Sequence, residues 1–239
     1  MPKRTHSRNV AARKLRAAVA SQSIWAIHPP KLSELLSAVE ESHLPGLLAD
    51  VRSNFGVQED DEARVRRIGS VAVIPITGTI QEKSNYVTRY MGGTSLAVLE
   101  RDFKAAVNDS QVKSIVLFVD SYGGSAGQNE EVSRLIYSSR GKKPIRAFVR
   151  GGCCSAAYYL ASAADSIDAS PSSTLGSIGC IAIHQEYADA FEQYGIGTTV
   201  ITYGDKKGHG NNYEKLTPEA KVTLQKWVSD FGELFIAAV

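Results

Sequence analysis

The sequence has little of what membrane, disulfide-rich and zinc proteins need. No apolar run approaches the roughly 20 residues of a membrane-spanning helix, and no apolar signal-peptide core follows the basic N-terminus. The three cysteines are an odd number, and Cys153 and Cys154 are adjacent, which is a poor basis for disulfides. No Cys-x-x-Cys pair or Cys/His cluster occurs. We therefore expect reduced thiols, no metal, no cofactor and no membrane contact, in the cytoplasm of the producing cell.

Positive and negative charges nearly balance, since the formal net charge is only +2. The overall balance therefore does not call for nucleic acid as a partner. The N-terminus alone is basic, with six Lys and Arg residues among the first sixteen. A solvated tail is the simpler interpretation, and docking on an acidic partner such as a scaffold protein or nucleic acid is the alternative.

The first part of the chain, residues 1–69, differs from the rest. It carries the basic tail, the segment Trp25-Ala26-Ile27 before two prolines, and a helical spacing of leucines over residues 31–51. Residues 58–67 are dense in charge and predict a linker. The sequence thus predicts an N-terminal helical extension over 1–69 and a separate domain over 70–239.

From Gly69 onward, strand and helix patterns alternate. Strands are predicted at 71–76, 114–119, 145–149, 178–183 and 198–203. Helices are predicted at 96–107, 130–138, 154–164 and 186–194, and a last one begins at Pro218 behind the N-cap Thr217. This alternation predicts an α/β fold with a largely parallel sheet. Sites on such sheets lie beyond the carboxyl ends of the strands, which selects the loops 120–125, 151–155 and 204–207.

The first loop contains the pair Gly123-Gly124 directly after a strand. Glycines there allow backbone N–H groups to approach a ligand closely, as in an oxyanion hole or a phosphate site. The phosphate-loop pattern G-x-x-x-x-G-K-[ST] is absent. A plain turn is the remaining alternative.

The second loop brings Ser155 to the start of a helix after Gly151-Gly152, which is the general form of a nucleophile elbow without the G-x-S-x-G pattern. Ser155 could instead be a simple N-cap. Cys154 is a rival nucleophile, because helix N-termini favour thiolates. A cysteine nucleophile usually needs a nearby histidine, and this loop has none.

The third loop, Gly204-Asp205-Lys206-Lys207, places lysines between glycines. Such lysines are usually solvated. A buried lysine can nevertheless act as a base, because desolvation lowers its pKa, and Ser–Lys pairs use this chemistry.

Four segments in order resemble the S49 family of serine peptidases, which includes signal peptide peptidase A and phage capsid maturation proteases. They are the strand ending in residues 120–124, the segment 155–159, the segment 174–179 and the loop 204–207. The resemblance spans residues 71–210 and implies a crotonase-like, Clp-peptidase-like fold. Three residues depart from the family pattern: Ala156-Ala157 replaces a glycine pair, and Tyr122 replaces a proline, which bears on substrate preference.

The resemblance implies Ser155 as nucleophile and Lys207 as general base. It implies that the N–H groups of Gly124 and Ala156 hold the oxyanion, with Gly123 as the substitute for Gly124. Ser177 is expected to orient the lysine, and a plain turn residue is the alternative.

For substrate binding, we expect an extended peptide along Gly151-Gly152, with Tyr122 nearby. A ring-like homo-oligomer is expected, in which Lys207 could act in trans. The substrate expected from phage relatives is a capsid or scaffold protein, in the host cytoplasm or the procapsid interior.

Three alternatives stay open. The first is a Clp-type Ser-His-Asp peptidase that uses His184. The second is a protease like the bacterial signal-peptide peptidases, and the third is a non-catalytic crotonase-fold scaffold or an acyl-CoA enzyme.

Overall fold

The computed structural model describes residues 25–27, 64–84, 88 and 92–239, the first three by their backbone alone. In chain order the strands within these residues are β1 (Trp25–Ile27), β2 (Arg66–Ile68), β3 (Val71–Thr77), β4 (Ile80–Gln81), β5 (Thr94–Ser95), β6 (Ser114–Ser121), β7 (Gly123–Ser125), β8 (Ile145–Cys154), β9 (Ser166–Ala169) and β10 (Thr174–Gly176). The helices are α1 (Leu96–Asn108), α2 (Asn129–Ser138), α3 (Ala156–Ser162), α4 (Ala188–Gln193) and α5 (Pro218–Ala238).

Three long parallel strands form the centre of the molecule. β6 lies between β3 and β8, and the sheet runs in the order β10-β8-β6-β3-β2, with β9 also paired to β8. All of these pairs are parallel except β2 with β3. The predicted α/β fold with a largely parallel sheet flanked by helices is confirmed.

Alternating burial along the central strands explains how helices cover the sheet. Every second residue of β3 and of β6 up to Val119 is buried, and the intervening residues are only partly so. The buried side chains are aliphatic and pack with α1, α2 and α3, which contribute Phe103, Ile136 and Leu160. The side chain of Ser95 caps α1 by accepting the N–H of Val98.

A β-bulge between β6 and β8 shapes the region where the strands end. The regular register stops at Val119↔Val149 and resumes at Ser121↔Cys153, so β8 carries two more residues than β6 in this interval. The extra length bends β8 and leads it into the turn before α3.

A second, smaller sheet lies beside this end. Its order is β1-β7-β4-β5, with β1 antiparallel to β7 in the register Trp25↔Ser125, Ala26↔Gly124 and Ile27↔Gly123. Two strands from before residue 69, β1 and β2, thus contribute to the sheets, and β2 overlaps the end of the predicted linker. The helix predicted over 31–51 lies outside the described residues.

Most predicted elements after residue 69 are confirmed, with ends shifted by a few residues. Two are wrong, because the segments 178–183 and 198–203 form no strands. Ile178, Ile183, Ile201 and Tyr203 in these segments are instead exposed.

Burial changes sharply along the chain after α3. From residue 165 to residue 219 no residue is buried, and we call this stretch the arm. It contains α4. The Tyr187 N–H, next to the start of α4, donates a hydrogen bond of 2.8 Å to Asn212 O farther along the arm. The chain then returns to the core through α5, where Phe235 is buried against Tyr159 at a ring separation of 4.6 Å.

Among the helices that the structure describes, none has the length and apolar character needed to cross a membrane.

Candidate active site

Ser155 lies at the junction between β8 and α3, as the elbow pattern predicts. It follows the last residue of β8 and precedes Ala156, the first residue of α3. Its backbone angles, φ 53° and ψ −122°, are ones that residues other than glycine rarely adopt. Its N–H donates to Gly176 O at 2.7 Å, which fixes this turn against β10. Strain of this kind persists where surrounding structure enforces it, typically at functional sites.

The Ser155 hydroxyl is not a helix cap. The side chain makes no capping hydrogen bond to α3. It is 1% exposed, and Oγ has no hydrogen-bond partner among the described residues. A buried hydroxyl without a partner costs roughly 1–3 kcal/mol. The hydroxyl is therefore kept for something other than local structure, which favours the nucleophile interpretation over the N-cap.

The two glycines before the elbow are required by packing. A Cβ on Gly151, whose φ is 131°, would collide with the carboxylate of Asp120, and one on Gly152 would lie 2.8 Å from the Tyr122 ring. Asp120 Oδ1 accepts the Gly152 N–H at 3.0 Å, and Ser173 Oγ accepts the Gly151 N–H at 3.3 Å.

These contacts bear on the expected path of the substrate. Gly152 pairs with Thr174 of β10 on one side of β8, and β6 lies on the other side. The backbone of Gly152 therefore has a strand partner within the chain on the β10 side. Tyr122, the other predicted substrate contact, packs against Gly152.

Gly123 and Gly124 form β7, which lies close to the elbow. Ser121 pairs with Cys153. β7 begins two residues after Ser121, and Ser155 lies two residues after Cys153. Helix α3 also packs against β7. The Gly123 N–H already donates to Ser121 Oγ at 3.1 Å. Gly124 crosses the backbone of Ile80 so closely that any side chain there would collide with it.

The other candidate oxyanion donor is Ala156. It is fully buried at the first position of α3. The N–H groups of a first helical turn have no acceptor within the helix. They point out of the helix N-terminus, where the positive end of the helix dipole lies. Ala156 N–H is thus suited to stabilise an oxyanion formed beside Ser155.

The rival nucleophile, Cys154, lies in an unsuitable environment. Burial raises the pKa of the Cys154 thiol above its ordinary value. Its Sγ lies 3.5 Å from Thr174 O, and burial raises the pKa of the neighbouring Cys153 to about 12. Both thiols are therefore protonated at neutral pH, whereas a nucleophilic cysteine needs a lowered pKa.

No candidate base is bonded to Ser155 within the single chain. Lys207 is exposed in the arm, in a turn closed by its N–H to Gly204 O at 3.1 Å. Ser177 is also exposed, with φ 55°. His184 Nε2 lies 3.1 Å from Asn211 O, also in the arm. Because Ser155 Oγ has no partner among the described residues, the structure brings neither Lys207 nor His184 into hydrogen-bond contact with it.

Asp120 and Ser121 hold the site together, and the sequence patterns assigned them no role. Asp120 fixes the glycine turn of β8 as described. Ser121 Oγ donates to Gly78 O at 2.6 Å while accepting the Gly123 N–H. The only signal in the sequence is their position, two polar residues directly after a buried strand, at the edge where parallel sheets place their sites.

The comparison with protein families agrees with this geometry. Residues 138–239 match the model of peptidase family S49, and this range includes Ser155, Ala156, Ser177 and Lys207. The predicted resemblance to the S49 family is confirmed.

Among characterised proteins, phage proteins are similar to this chain. The head-tail preconnector protein GP5 of Enterobacteria phage P21 is 31% identical over 82% of this chain and 39% of its own length. The capsid assembly protease C of Escherichia phage lambda is 30% identical over 76% of this chain and 42% of its own. Protease 4 of Salmonella typhi is 31% identical over 72% of this chain and 27% of its own. The chain thus spans about two fifths of the phage relatives' length.

Solved structures with some similarity include a Legionella pneumophila protein assigned as an enoyl-CoA hydratase/isomerase (crotonase). It is 20% identical, with a TM-score of 0.31, over 46% of this chain and 48% of that one.

Proposed function

We propose that this chain is a serine endopeptidase whose nucleophile is Ser155. The observation that supports it most is the buried, unpartnered hydroxyl on a strained strand-to-helix turn, within a segment that matches peptidase family S49. In this proposal Ser155 Oγ attacks a peptide carbonyl, the amine leaves, and water then hydrolyses the acyl-enzyme.

Lys207 is the proposed general base and acts from a neighbouring copy. A neutral lysine amine takes the Ser155 proton as Oγ attacks and returns it to the leaving amine. Two observations support action in trans: Lys207 is exposed in its own chain, and the arm that carries it has no buried residue. A second copy that covers the arm would desolvate the lysine, which favours its neutral form.

The N–H groups of Gly124 and Ala156 are the proposed oxyanion donors. Ser177, which also lies in the arm, is the proposed partner that orients Lys207. The proposed domain arrangement places these residues in the peptidase domain 70–239, preceded by the extension 1–69.

The proposed substrates are capsid or scaffold proteins during phage head maturation, in the host cytoplasm or the procapsid interior. This follows the phage relatives, one of which is named a capsid assembly protease. A substrate in extended form would pair with a strand edge near Ser155. The outer edge of β10 qualifies, because β10 pairs only with β8 among the described strands and its Gly176 O accepts the Ser155 N–H.

Labelling with a fluorophosphonate probe tests the nucleophile. We expect one adduct per reactive chain on Ser155, no adduct in Ser155→Ala, and normal labelling of Cys154→Ala. Coexpression with a phage major capsid or scaffold protein should give new termini with wild type and none with Ser155→Ala. An adduct elsewhere, or cleavage by Ser155→Ala, would refute the proposal.

Mixing two inactive variants tests the base and its origin. Ser155→Ala and Lys207→Ala chains should each be inactive alone, and mixed oligomers should recover part of the activity if the two groups meet across subunits. His184→Ala should remain active. Lys206→Ala is the matched control, because it removes the neighbouring lysine from the same loop. If the mixed oligomers recover no activity, Lys207 does not act in trans. If Lys206→Ala is as inactive as Lys207→Ala, the loss of activity is not specific to Lys207.

A further inference from the structure

The short strand β1 pairs with the glycine strand of the candidate site. β1 runs antiparallel to β7, with Ala26 opposite Gly124 and Ile27 opposite Gly123. β7 in turn pairs with β4 on its other side. Without β1, β7 would be an edge strand of the small sheet, with unpaired backbone groups able to accept an extended segment.

This edge, like the outer edge of β10, lies near Ser155, and an extended peptide that meets Ser155 could pair with either edge or with both. β7 begins two residues after Ser121, and Ser155 follows two residues after Cys153, the partner of Ser121. Helix α3, whose first residue is Ala156, packs against β7. A peptide paired with β7 would therefore pass both proposed oxyanion donors.

We propose that residues 25–27 are a tethered occupant of the substrate position, which holds the site closed until they leave. This inference rests on the proposed function, because the blocked position is defined by Ser155 and its oxyanion donors. The segment Trp-Ala-Ile is extended, apolar and rich in β-formers. Its strand pairing with β7 is the mode in which an extended peptide substrate would bind.

The tether determines how strongly the segment competes. A segment in the same chain acts at an effective concentration on the order of mM. A free peptide of ordinary affinity would then rarely displace it, whereas release of residues 25–27, for example by binding of the N-terminal region elsewhere, would open the edge. The device would delay proteolysis until a partner is engaged.

Binding of a fluorescein-labelled peptide with the sequence of residues 21–30 tests this in full-length Ser155→Ala protein. Proline lacks the N–H that a strand ladder needs. In an antiparallel pair, the backbone N–H groups of alternate residues bond to the partner strand, so one of two adjacent residues must donate to β7. Either Ala26→Pro or Ile27→Pro should therefore release β1 and tighten peptide binding at least tenfold. Ala20→Pro, outside β1, is the matched control and should have no effect.

A reversible lock gives the opposite result. Trp25 and Ser125 are directly opposite each other, and such Cα separations fall within the range of a disulfide. The double variant Trp25→Cys/Ser125→Cys should lose peptide binding at least tenfold when oxidised and regain it on reduction. Each single variant is a control that cannot form the bond. Since reduction reverses the effect, damage to folding cannot mimic it.

Equal affinity, or no measurable affinity, in the released and locked forms overturns the proposal. The binding measurement needs no catalysis, so it is independent of the serine chemistry. Fluorophosphonate labelling of the same variants with Ser155 restored separates the two ideas: a change in peptide binding with no adduct would refute the proposed function alone.

Discussion

Ser155 combines two costs that a residue without a function would not keep. Its hydroxyl is buried without a partner, and its φ of 53° is unfavourable for a side chain. We expect Ser155→Ala to be as stable as wild type or about 1 kcal/mol more stable. Ser155→Gly should gain further, because release of backbone strain of roughly 1–3 kcal/mol exceeds the entropic cost of glycine.

Urea unfolding checks this, with Ser139→Ala as control. Ser139 is equally buried, but its Oγ donates to Leu135 O at 2.8 Å, so its removal should cost about 1 kcal/mol. A Ser155→Ala variant that loses as much as Ser139→Ala would mean that the hydroxyl stabilises the turn.

The buried thiols predict a specific dependence on pH. Burial raises the pKa of Cys153 to about 12, so this group favours folding below its ordinary pKa, and that contribution is lost as the pH rises toward 12. Iodoacetamide at pH 8 should modify Cys153 and Cys154 at least tenfold more slowly in folded protein than in urea. Mass spectrometry of tryptic peptides measures both rates. Rapid alkylation of folded Cys154 with loss of activity would instead favour a thiol nucleophile.

Asp120 offers a test of how the elbow is positioned. Its carboxylate accepts the Gly152 N–H at 3.0 Å, and Asp120→Ala leaves that N–H without its partner. We expect a loss of roughly 1–3 kcal/mol in unfolding free energy and slower fluorophosphonate labelling of Ser155. Asp120→Asn keeps an acceptor oxygen and should restore most of both. If the alanine and asparagine variants behave alike, charge and not hydrogen bonding is what matters.

At the scale of elements, the crossing of β7 over β4 depends on one glycine. A Cβ at Gly124 would collide with the Ile80 backbone, and neither strand can move freely within its sheet. Gly124→Ala should therefore cost 1–3 kcal/mol or more, as overpacked substitutions do. Gly197→Ala is the matched control, because nothing lies near that position and its stability should be almost unchanged. Thermal unfolding of the two variants decides it.

Which elements could be predicted from the sequence depends on where their partners are. Val71–Thr77 and Ser114–Ser121 find their neighbouring strands and helices within one chain, so their short, continuous runs of apolar, β-rich residues identified them. The segments 178–183 and 198–203 have the same β-rich composition, yet within the described residues they form no strand, only a single bridge residue at Ile181. Strand propensity reports fit to a half-buried surface, and composition cannot tell whether this chain supplies that surface.

The candidate site divides in the same way. Ser155 and the glycine turns follow from local strand-to-helix patterns, which the structure reproduces in one chain. The Asp120 carboxylate accepts the Gly152 N–H because of the bulge in β8. That bulge depends on the relative lengths of two strands, which no local sequence pattern contains. β1 could not be predicted to join β7, because that pairing connects segments far apart in sequence.

At the scale of the whole molecule, the arm has the surface of an interface. From residue 165 to 219 no residue is buried, and large apolar side chains are exposed there: Ile201 is 90% exposed and Tyr203 is 101% exposed. Apolar groups in such number usually mark contacts between proteins. A second copy covering the arm would bury them and bring Lys207 toward a neighbour's elbow, which is what the proposed mechanism needs.

The last prediction follows from this surface. Ile201→Glu should lower the mass of the particle in analytical ultracentrifugation toward that of a single 25.8 kDa chain and reduce peptidase activity at least tenfold, because a charge would be buried in the contact. Tyr137→Glu is the matched control: Tyr137 is also exposed, on α2 outside the arm, and should leave mass and activity unchanged. Activity that persists in monomeric Ile201→Glu protein would show that one chain completes the site alone.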